Sequence, residues 1–304
     1  MPPIIETRAL SHHFGAFHAV RGIDLSVPPG AVYGFLGPNG SGKTTTIRIL
    51  LGLLRPQSGE VSVLGRPMPA ARLAIARHTG SMVETPCLYD HLSGFDNIEL
   101  TRRALGLARR ETDRVLEVVE LTEFARRRAG GYSLGMRQRL GIARALLGEP
   151  KLLILDEPAN GLDPAGVLDM RRLIRDLPQR LGVTVFVSSH LLAEVEHIAS
   201  HVGLMFQGQL IAQSTLGELL SSVEAQLHIG VRDAPRALTR LQAADIDAAS
   251  DGDDSLIVPL RPGRTPDAAR LNALLVGDGF EVFSLHQHAP SLEDIFLHRT
   301  GQTA

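Results

Sequence analysis

The stretch GPNGSGKTT, residues 37–45, constrains this chain more than any other. It follows AVYGFL, a short apolar run of strand type that begins after the turn PPG at 28–30. It leads into TIRILLGLL, whose apolar residues recur as on a helix and stop before Arg55 and Pro56. Strand, glycine-rich loop and helix in that order are the context in which the pattern G-x-x-x-x-G-K-[ST] is a phosphate cradle and not a chance turn. Glycines let successive backbone N–H groups wrap around an anion with no Cβ in the way, and the helix start adds its partial positive charge. Gly37, Pro38, Asn39, Gly40, Ser41, Gly42, Lys43, Thr44 and Thr45 are therefore the expected nucleotide-binding residues. Lys43 is expected on the outer phosphates and the Thr44 hydroxyl on Mg²⁺. Basic residues are nearly all arginine, and the only lysines are Lys43 and Lys151, so one of the two stands in the cradle.

A nucleotide site also needs a carboxylate for the metal and a group to orient water. KLLILDEP, residues 151–158, supplies both: four apolar residues suited to a fully buried parallel strand, then Asp156 and Glu157 at its end. Ligands of such sheets bind beyond the carboxyl ends of the strands, where the loop after AVYGFL also opens. Asp156 is the expected Mg²⁺ carboxylate and Glu157 the expected general base. Alone, a DE pair after a strand is more often a solvated strand end. GGYSLGMRQRLGIARALLGEP, residues 130–150, reads as a glycine turn and an amphipathic helix with Ser133 as its N-cap. With the free N–H groups near Gly135 it forms a second anion site. Two phosphate-binding sites and one nucleotide suggest a ligand shared between two chains.

At this point the sequence resembles the ATP-binding subunits of ABC transporters, whose LSGGQ signature closes over the nucleotide held by a partner subunit. The corresponding residues are Tyr132, Ser133, Leu134, Gly135 and Met136. The serine and second glycine match, while leucine and methionine replace the first glycine and the glutamine. YSLGM followed by RQRLGIARALL is similar to the drug, bacitracin and lantibiotic resistance branch. The resemblance covers roughly the first 220 residues. It implies that Phe14, in LSHHFGAF, lies under the adenine with Val20 beside it, and stacking needs only a flat apolar face. NGLDP, residues 160–164, resembles the family's D-loop, and its Asp163 and Pro164 also read as the N-cap and first residue of a helix. GVTVFVSSH, residues 182–190, is a buried strand ending in His190, which resembles the switch histidine at the γ-phosphate.

One residue departs from the pattern. Where most of the family has a glutamine that contacts Mg²⁺ and the attacking water, the segment SMVETP carries Glu84. The change keeps an oxygen for the metal, removes an amide donor and adds negative charge near the phosphates. The bacitracin and lantibiotic subunits resemble it here. Glu84 is expected to meet the metal when nucleotide is present and to link its occupancy to a permease contact. The competing reading is a solvated loop carboxylate.

The fold expected is α/β: a P-loop NTPase domain of the ABC ATPase type over residues 1–220, with a helical subdomain at about 93–150. Beyond residue 220 the pattern changes. AQLHIGV, SLIVPL and FEVFSL read as strands, with a proline suited to an edge, and PRALTRLQAA and DAARLNALLV as helices. They imply a small C-terminal α/β domain over 221–304, of split β-α-β or ferredoxin-like type, with ASDGDDS as a hairpin loop. Its last segment, SLEDIFLHRTG, has Ser291 and Asp294 spaced as a capping box and resembles the carboxyl-terminal extension of drug-exporting ATPase subunits. No catalytic or metal spacing occurs there, which leaves a dimerising, regulatory or partner-binding role.

Composition excludes several classes. With 44% hydrophobic and 21% charged residues the chain is of ordinary globular type, and no apolar run is long enough to span a bilayer. The amino terminus has no signal-peptide pattern, and one cysteine, Cys87, forms no internal disulfide. Localisation is expected to be cytoplasmic, at the inner face of the cell membrane through a partner. A net charge of −2 gives no general attraction to nucleic acid, and the arginine runs TRRALGLARR and FARRR lack interleaved aromatics. His197 and His201 stand four apart, but Ile198 follows His197 where the zinc-protease pattern needs a glutamate, so that pattern is missing. The resemblance thus implies an ATPase with ATP and Mg²⁺, working as a homodimer through its nucleotide sites and driving a separate transmembrane permease, in an exporter of a drug or antimicrobial peptide. The alternative is a non-transport ATPase of the same type acting on the ribosome or nucleic acid. A ribosomal ATPase would usually join two cassettes, and a chromosome-maintenance one would insert a coiled coil between Lys43 and Ser133. Neither feature is present.

Overall fold

The computed structural model describes residues 2–261 and 267–301. They divide into two compact units, Met1–Leu216 and Gly217–Ala304. In chain order the elements are β1 (Ile5–Phe14), β2 (Phe17–Ile23), β3 (Ser26–Val27), β4 (Val32–Leu36), α1 (Lys43–Leu50), β5 (Ser58–Val63), β6 (Arg66–Pro67), α2 (Arg72–Ala76) and β7 (Thr79–Met82). Then come α3 (Gly94–Ala104), α4 (Arg110–Val118), α5 (Leu134–Ala145), β8 (Leu152–Asp156), α6 (Pro164–Leu181), β9 (Thr184–Ser189), α7 (Leu192–Glu196), β10 (His201–Phe206), β11 (Gln209–Thr215) and α8 (Leu216–Ser221). The second unit continues with β12 (Gln226–Val231), α9 (Ala234–Ala243), β13 (Ala249–Ser250), β14 (Ser255–Pro259), α10 (Ala268–Gly277), β15 (Val282–His288) and α11 (Leu292–Thr300).

The continuous apolar runs fill the middle of a six-stranded sheet ordered β11-β10-β4-β9-β8-β7, parallel except at the β10–β11 hairpin. Every residue of β4, β8 and β9 is buried, because each strand has apolar layers on both sides. Alternation sorts the side chains. Leu152 and Ile154 join Tyr33, Phe35 and Phe186 on one face, together with α1 and the antiparallel sheet β2-β1-β5-β6. Leu153 and Leu155 point the other way, into a core with α6 and the helices α3 to α5. The parallel register sets Asp156 beside Ser188, and the carboxyl ends of β4, β8 and β9 open on one side, where α1 begins.

In the second unit β12, β13, β14 and β15 form an antiparallel sheet ordered β13-β14-β12-β15, with α9 and α10 as the two crossovers. This is the order of a split β-α-β, ferredoxin-like domain. Leu227, Ile229 and Val231 of β12 alternate into its core against Leu241, Leu271 and Leu275. The hairpin loop falls within ASDGDDS, between β13 and β14, and Ser291 and Asp294 form the capping box of α11. One expectation is corrected: β14 is an interior strand. Pro259 is tolerated because it is the strand's last residue, and Leu260 takes up the pairing by donating its N–H to the Ala225 carbonyl at 2.7 Å.

Candidate functional site

The phosphate loop owes its shape to two glycines. Gly37 has φ 155 and Gly42 φ 105, and a Cβ on either would lie 2.2 Å from a backbone oxygen, of Met205 and Ala19 respectively. No side chain caps α1 and no acid stands in its first turn, so its leading N–H groups face the cleft. Ser41 Oγ is buried with no hydrogen-bond partner, an orphan in the middle of the cradle that a phosphate oxygen would satisfy. Lys43 donates from Nζ to the carbonyls of Gly37 at 2.7 Å and Pro38 at 3.3 Å, and lies 3.5 Å from Glu157 Oε1. Burial lowers its pKa, while Glu157 and Asp156 oppose that shift.

Around the loop the strand ends deliver the acids. Asp156 accepts from Thr44 Oγ1 at 3.0 Å through Oδ2 and from Ser188 Oγ at 2.5 Å through Oδ1. Ser188 Oγ also accepts the Glu157 N–H at 3.0 Å. Glu157, at φ 51, turns its carboxylate away from the strand, so that Oε2 meets His190 Nδ1 at 2.8 Å. Phe17, Ala19, Asn39, Gly40, Gly42, Lys43, Thr44, Thr45, Glu157, Asn160 and His190 line a cleft of about 320 Å³. A water, a phosphate and two acid–base groups fit this arrangement chemically: a cation and N–H donors for the charge, a carboxylate and an imidazole to hold a proton.

Thr44 and Asp156 fit Mg²⁺. They are hard oxygen donors already within 3.0 Å of each other, and among the described residues no cage of three acids or histidines competes for a different metal. Mg²⁺ takes one or two protein ligands of this kind and fills its remaining positions with waters and substrate phosphates.

The signature and D-loop residues lie together in a second groove. Ser133 caps α5 by accepting the Met136 N–H at 3.3 Å, and Asp163 caps α6 by accepting the Gly166 N–H at 3.0 Å. Ser133, Gly135, Met136 and Asp163 share that groove with Gly161 and Leu162. None of them lines the phosphate cleft of the same chain.

Three expected residues stand elsewhere. Glu84 does not line the cleft: its carboxylate pairs with Arg48 on the outer face of α1. Val20 is fully buried in the core, because alternation along β2 turns its neighbour Ala19 to the cleft instead. Phe14 is half-exposed with its ring 4.7 Å from His12 in a T-shaped contact, and Phe17 is the aromatic residue that lines the cleft. Ser188, Phe17, Ala19 and Arg48 were not singled out by the motifs, and Asn160 entered only as the first residue of NGLDP. For Ser188 the signal is the pairing of SSH with LLILD, which requires the strand register.

Comparison with known proteins agrees with this geometry. Residues 20–160 match the family model described as ABC transporter. The bacitracin transport ATP-binding protein BcrA of Bacillus licheniformis is 39% identical over 99% of this chain and 98% of its own length. The lantibiotic transport ATP-binding protein SrtF of Streptococcus pyogenes is 39% identical over 69% of this chain and 90% of its own. Among solved structures, cbiO1 of Clostridium perfringens, described as part of the ABC transporter complex cbiONQ, superposes with a TM-score of 0.68 at 27% identity, covering 73% of this chain and 92% of that one. A phosphate cradle, a strand-end acid pair and a separate signature helix, in a chain alike to BcrA along its whole length, place it in one family: this chain belongs to the ATP-binding subunits of ABC transporters, the ATPases that drive transport.

Proposed function

We propose that this chain powers export of an antimicrobial peptide of the bacitracin or lantibiotic class, through a separate membrane-spanning permease at the inner face of the cell membrane. The observation that carries the reading is the likeness to BcrA along both units, the accessory one included. No described helix is long and apolar enough to cross a membrane, so the spanning part is assigned to a partner.

In this reading the cradle of residues 37–45 and Lys43 hold the phosphates of ATP, and Phe17 and Ala19, with Phe14 on the same hairpin, flank the nucleoside. Thr44 and Asp156 hold Mg²⁺, which when bound supplies neutralising charge at the phosphates. Glu157 takes the proton of the attacking water, and its 2.8 Å bond to His190 fixes the carboxylate's direction. Ser133, Gly135, Met136 and Asp163 act on the nucleotide of a partner copy, since they face a groove of their own. Binding then closes the pair, and hydrolysis lets it open.

The test is capture of tagged Glu157→Gln protein from detergent-solubilised native membranes, with and without Mg²⁺-ATP. Recovery of one polytopic membrane protein, together with greater bacitracin or lantibiotic sensitivity of cells lacking either gene, is the expected result. Recovery of ribosomes with no membrane protein would overturn the transport reading.

A further inference from the structure

A cavity of about 20 Å³ adjoins the phosphate cleft and shares Glu157 and His190 with it. Its other walls come largely from α6 and from the segment around α7, and each presents an apolar stripe. Met170 and Ile174 of α6 stand four apart, and Leu191, Val195 and Ile198 recur at helical spacing along the α7 segment. Each stripe also holds one charged residue. Arg171 of α6 and Glu194 of α7 line the same cavity, half-buried, on the faces where the pattern calls for apolar side chains. Arg171 Nε is buried with no hydrogen-bond partner among the described residues. Burial raises the Glu194 carboxyl above its ordinary value and Glu157 adds to that, while the charges of Arg171 and His190 oppose it.

Stability does not account for these two residues. Burying part of a charge costs free energy, and an apolar pair of similar volume would close the cavity at least as well. What the pair can do follows from what it faces. Glu157 as a carboxylate only accepts, so its 2.8 Å bond sets the proton of the His190 ring on Nδ1. His190 lies just past the end of β9, and among the described residues its ring makes no second hydrogen bond to hold its direction. The cavity beside it has largely apolar walls, so charges there are screened less than at the surface. We propose that Glu194 is a positioning residue for hydrolysis: together with Arg171 it holds the His190 ring in the orientation that gives Nδ1 to Glu157. Glu194 attracts the ring, and Arg171 keeps the Glu194 carboxylate charged and turned to the cavity. The inference deepens the mechanism proposed above and rests on its reading of Glu157 and His190 as the groups beside the attacking water.

The test uses the full chain with Mg²⁺-ATP. Glu194→Gln should lower kcat about tenfold and leave KM for ATP within about twofold, because the ring's direction matters to the reaction and not to binding. Arg171→Met should do the same, and Arg171→Lys, which keeps the charge, should recover most of the loss. In a His190→Ala background, followed by single-turnover release of labelled phosphate, Glu194→Gln should change the rate by no more than about twofold. The low-field proton signal of His190 Nδ1–H, assigned by its loss in His190→Ala, should broaden or vanish in Glu194→Gln, which a role in packing alone would not bring about. Wild-type kcat in Glu194→Gln, a raised KM in place of a lowered kcat, or the same loss without His190 would overturn the inference. If Glu194→Gln does not fold, equal kcat in Arg171→Met and Arg171→Lys would overturn it. Wild-type turnover in His190→Ala would instead remove the reading of His190 itself, and this inference with it.

Discussion

Ser188 shows how much of the site rests on residues that carry no motif. Its hydroxyl donates to Asp156 and accepts from the Glu157 N–H, fixing both acids from within the sheet, and it is fully buried. Ser188→Ala leaves a carboxylate oxygen unpartnered and free to rotate. The Mg²⁺ concentration for half-maximal ATPase activity should rise about tenfold, in the range seen when partners of metal ligands are removed. An unchanged Mg²⁺ titration would show that Thr44 alone orients Asp156. Glu157→Gln should lower turnover by about 10²-fold or more while ATP binding, read by a fluorescent analogue, stays within about threefold of wild type. The cradle and both acids were legible in the sequence because a phosphate loop demands fixed residue types at fixed spacing. Ser188, Phe17 and Arg48 were not, because their roles follow from which strand lies beside which and which way a side chain alternates. Glu84 is expected at the metal only with nucleotide bound, and its pairing with Arg48 in the structure is a contact that no local pattern encodes.

Among the elements, α3 and α4 are held by an acid at their centre. Glu99 of α3 accepts from Arg102 and Arg103 of its own helix and from Thr112 Oγ1 of α4 at 3.0 Å. Those bonds, Arg102's first, hold its carboxyl well below the usual carboxylate range. Glu111 is lowered in the same way, first by Arg114 and also by the Gly148 N–H. A folded pKa below the unfolded value of about 4.3 contributes stability above that pH and loses it as pH falls through the folded value. Glu99→Gln should therefore melt lower than wild type at pH 7, and the gap should narrow as pH falls below about 4.5. Thermal unfolding followed by circular dichroism measures it, and a gap that stays constant from pH 7 to pH 3 would deny Glu99 this role. Helices and strands themselves were largely legible: AVYGFL, KLLILDEP and GVTVFVSSH each carry a continuous apolar run because the strands are buried on both faces, and Ser133 and Asp163 announce the starts of α5 and α6 as N-caps. Pro259 misled because proline excludes the middle of a ladder, and the sequence does not say that the ladder ends there.

For the whole molecule the decisive fact is a division of labour. The phosphate cleft and the groove of Ser133 and Asp163 have no lining residue in common, although in the proposed reading one nucleotide takes the chemistry of both. A two-fold dimer resolves this, since a self-complementary interface sets one copy's cradle against the other's signature helix twice over. The resemblance of YSLGM to a signature pointed to such sharing. It did not say that the two surfaces stay apart within a chain, which only the separate linings of cleft and groove show. The arrangement makes a quantitative prediction. Lys43→Ala loses the cradle cation, and Ser133→Arg fills the signature groove, so each variant alone should be inactive. Mixed in equal amounts and allowed to exchange, half the dimers carry one copy of each. In those, one of the two sites combines an intact Lys43 with an intact Ser133, so about a quarter of all sites should be whole. ATPase activity of the mixture near about a quarter of wild type would mean shared sites that work singly, and activity well below that, with heterodimers present by mass photometry, would mean that both sites must fire together. If either variant alone kept wild-type turnover, the site would lie within one chain, and the two surfaces would have separate tasks.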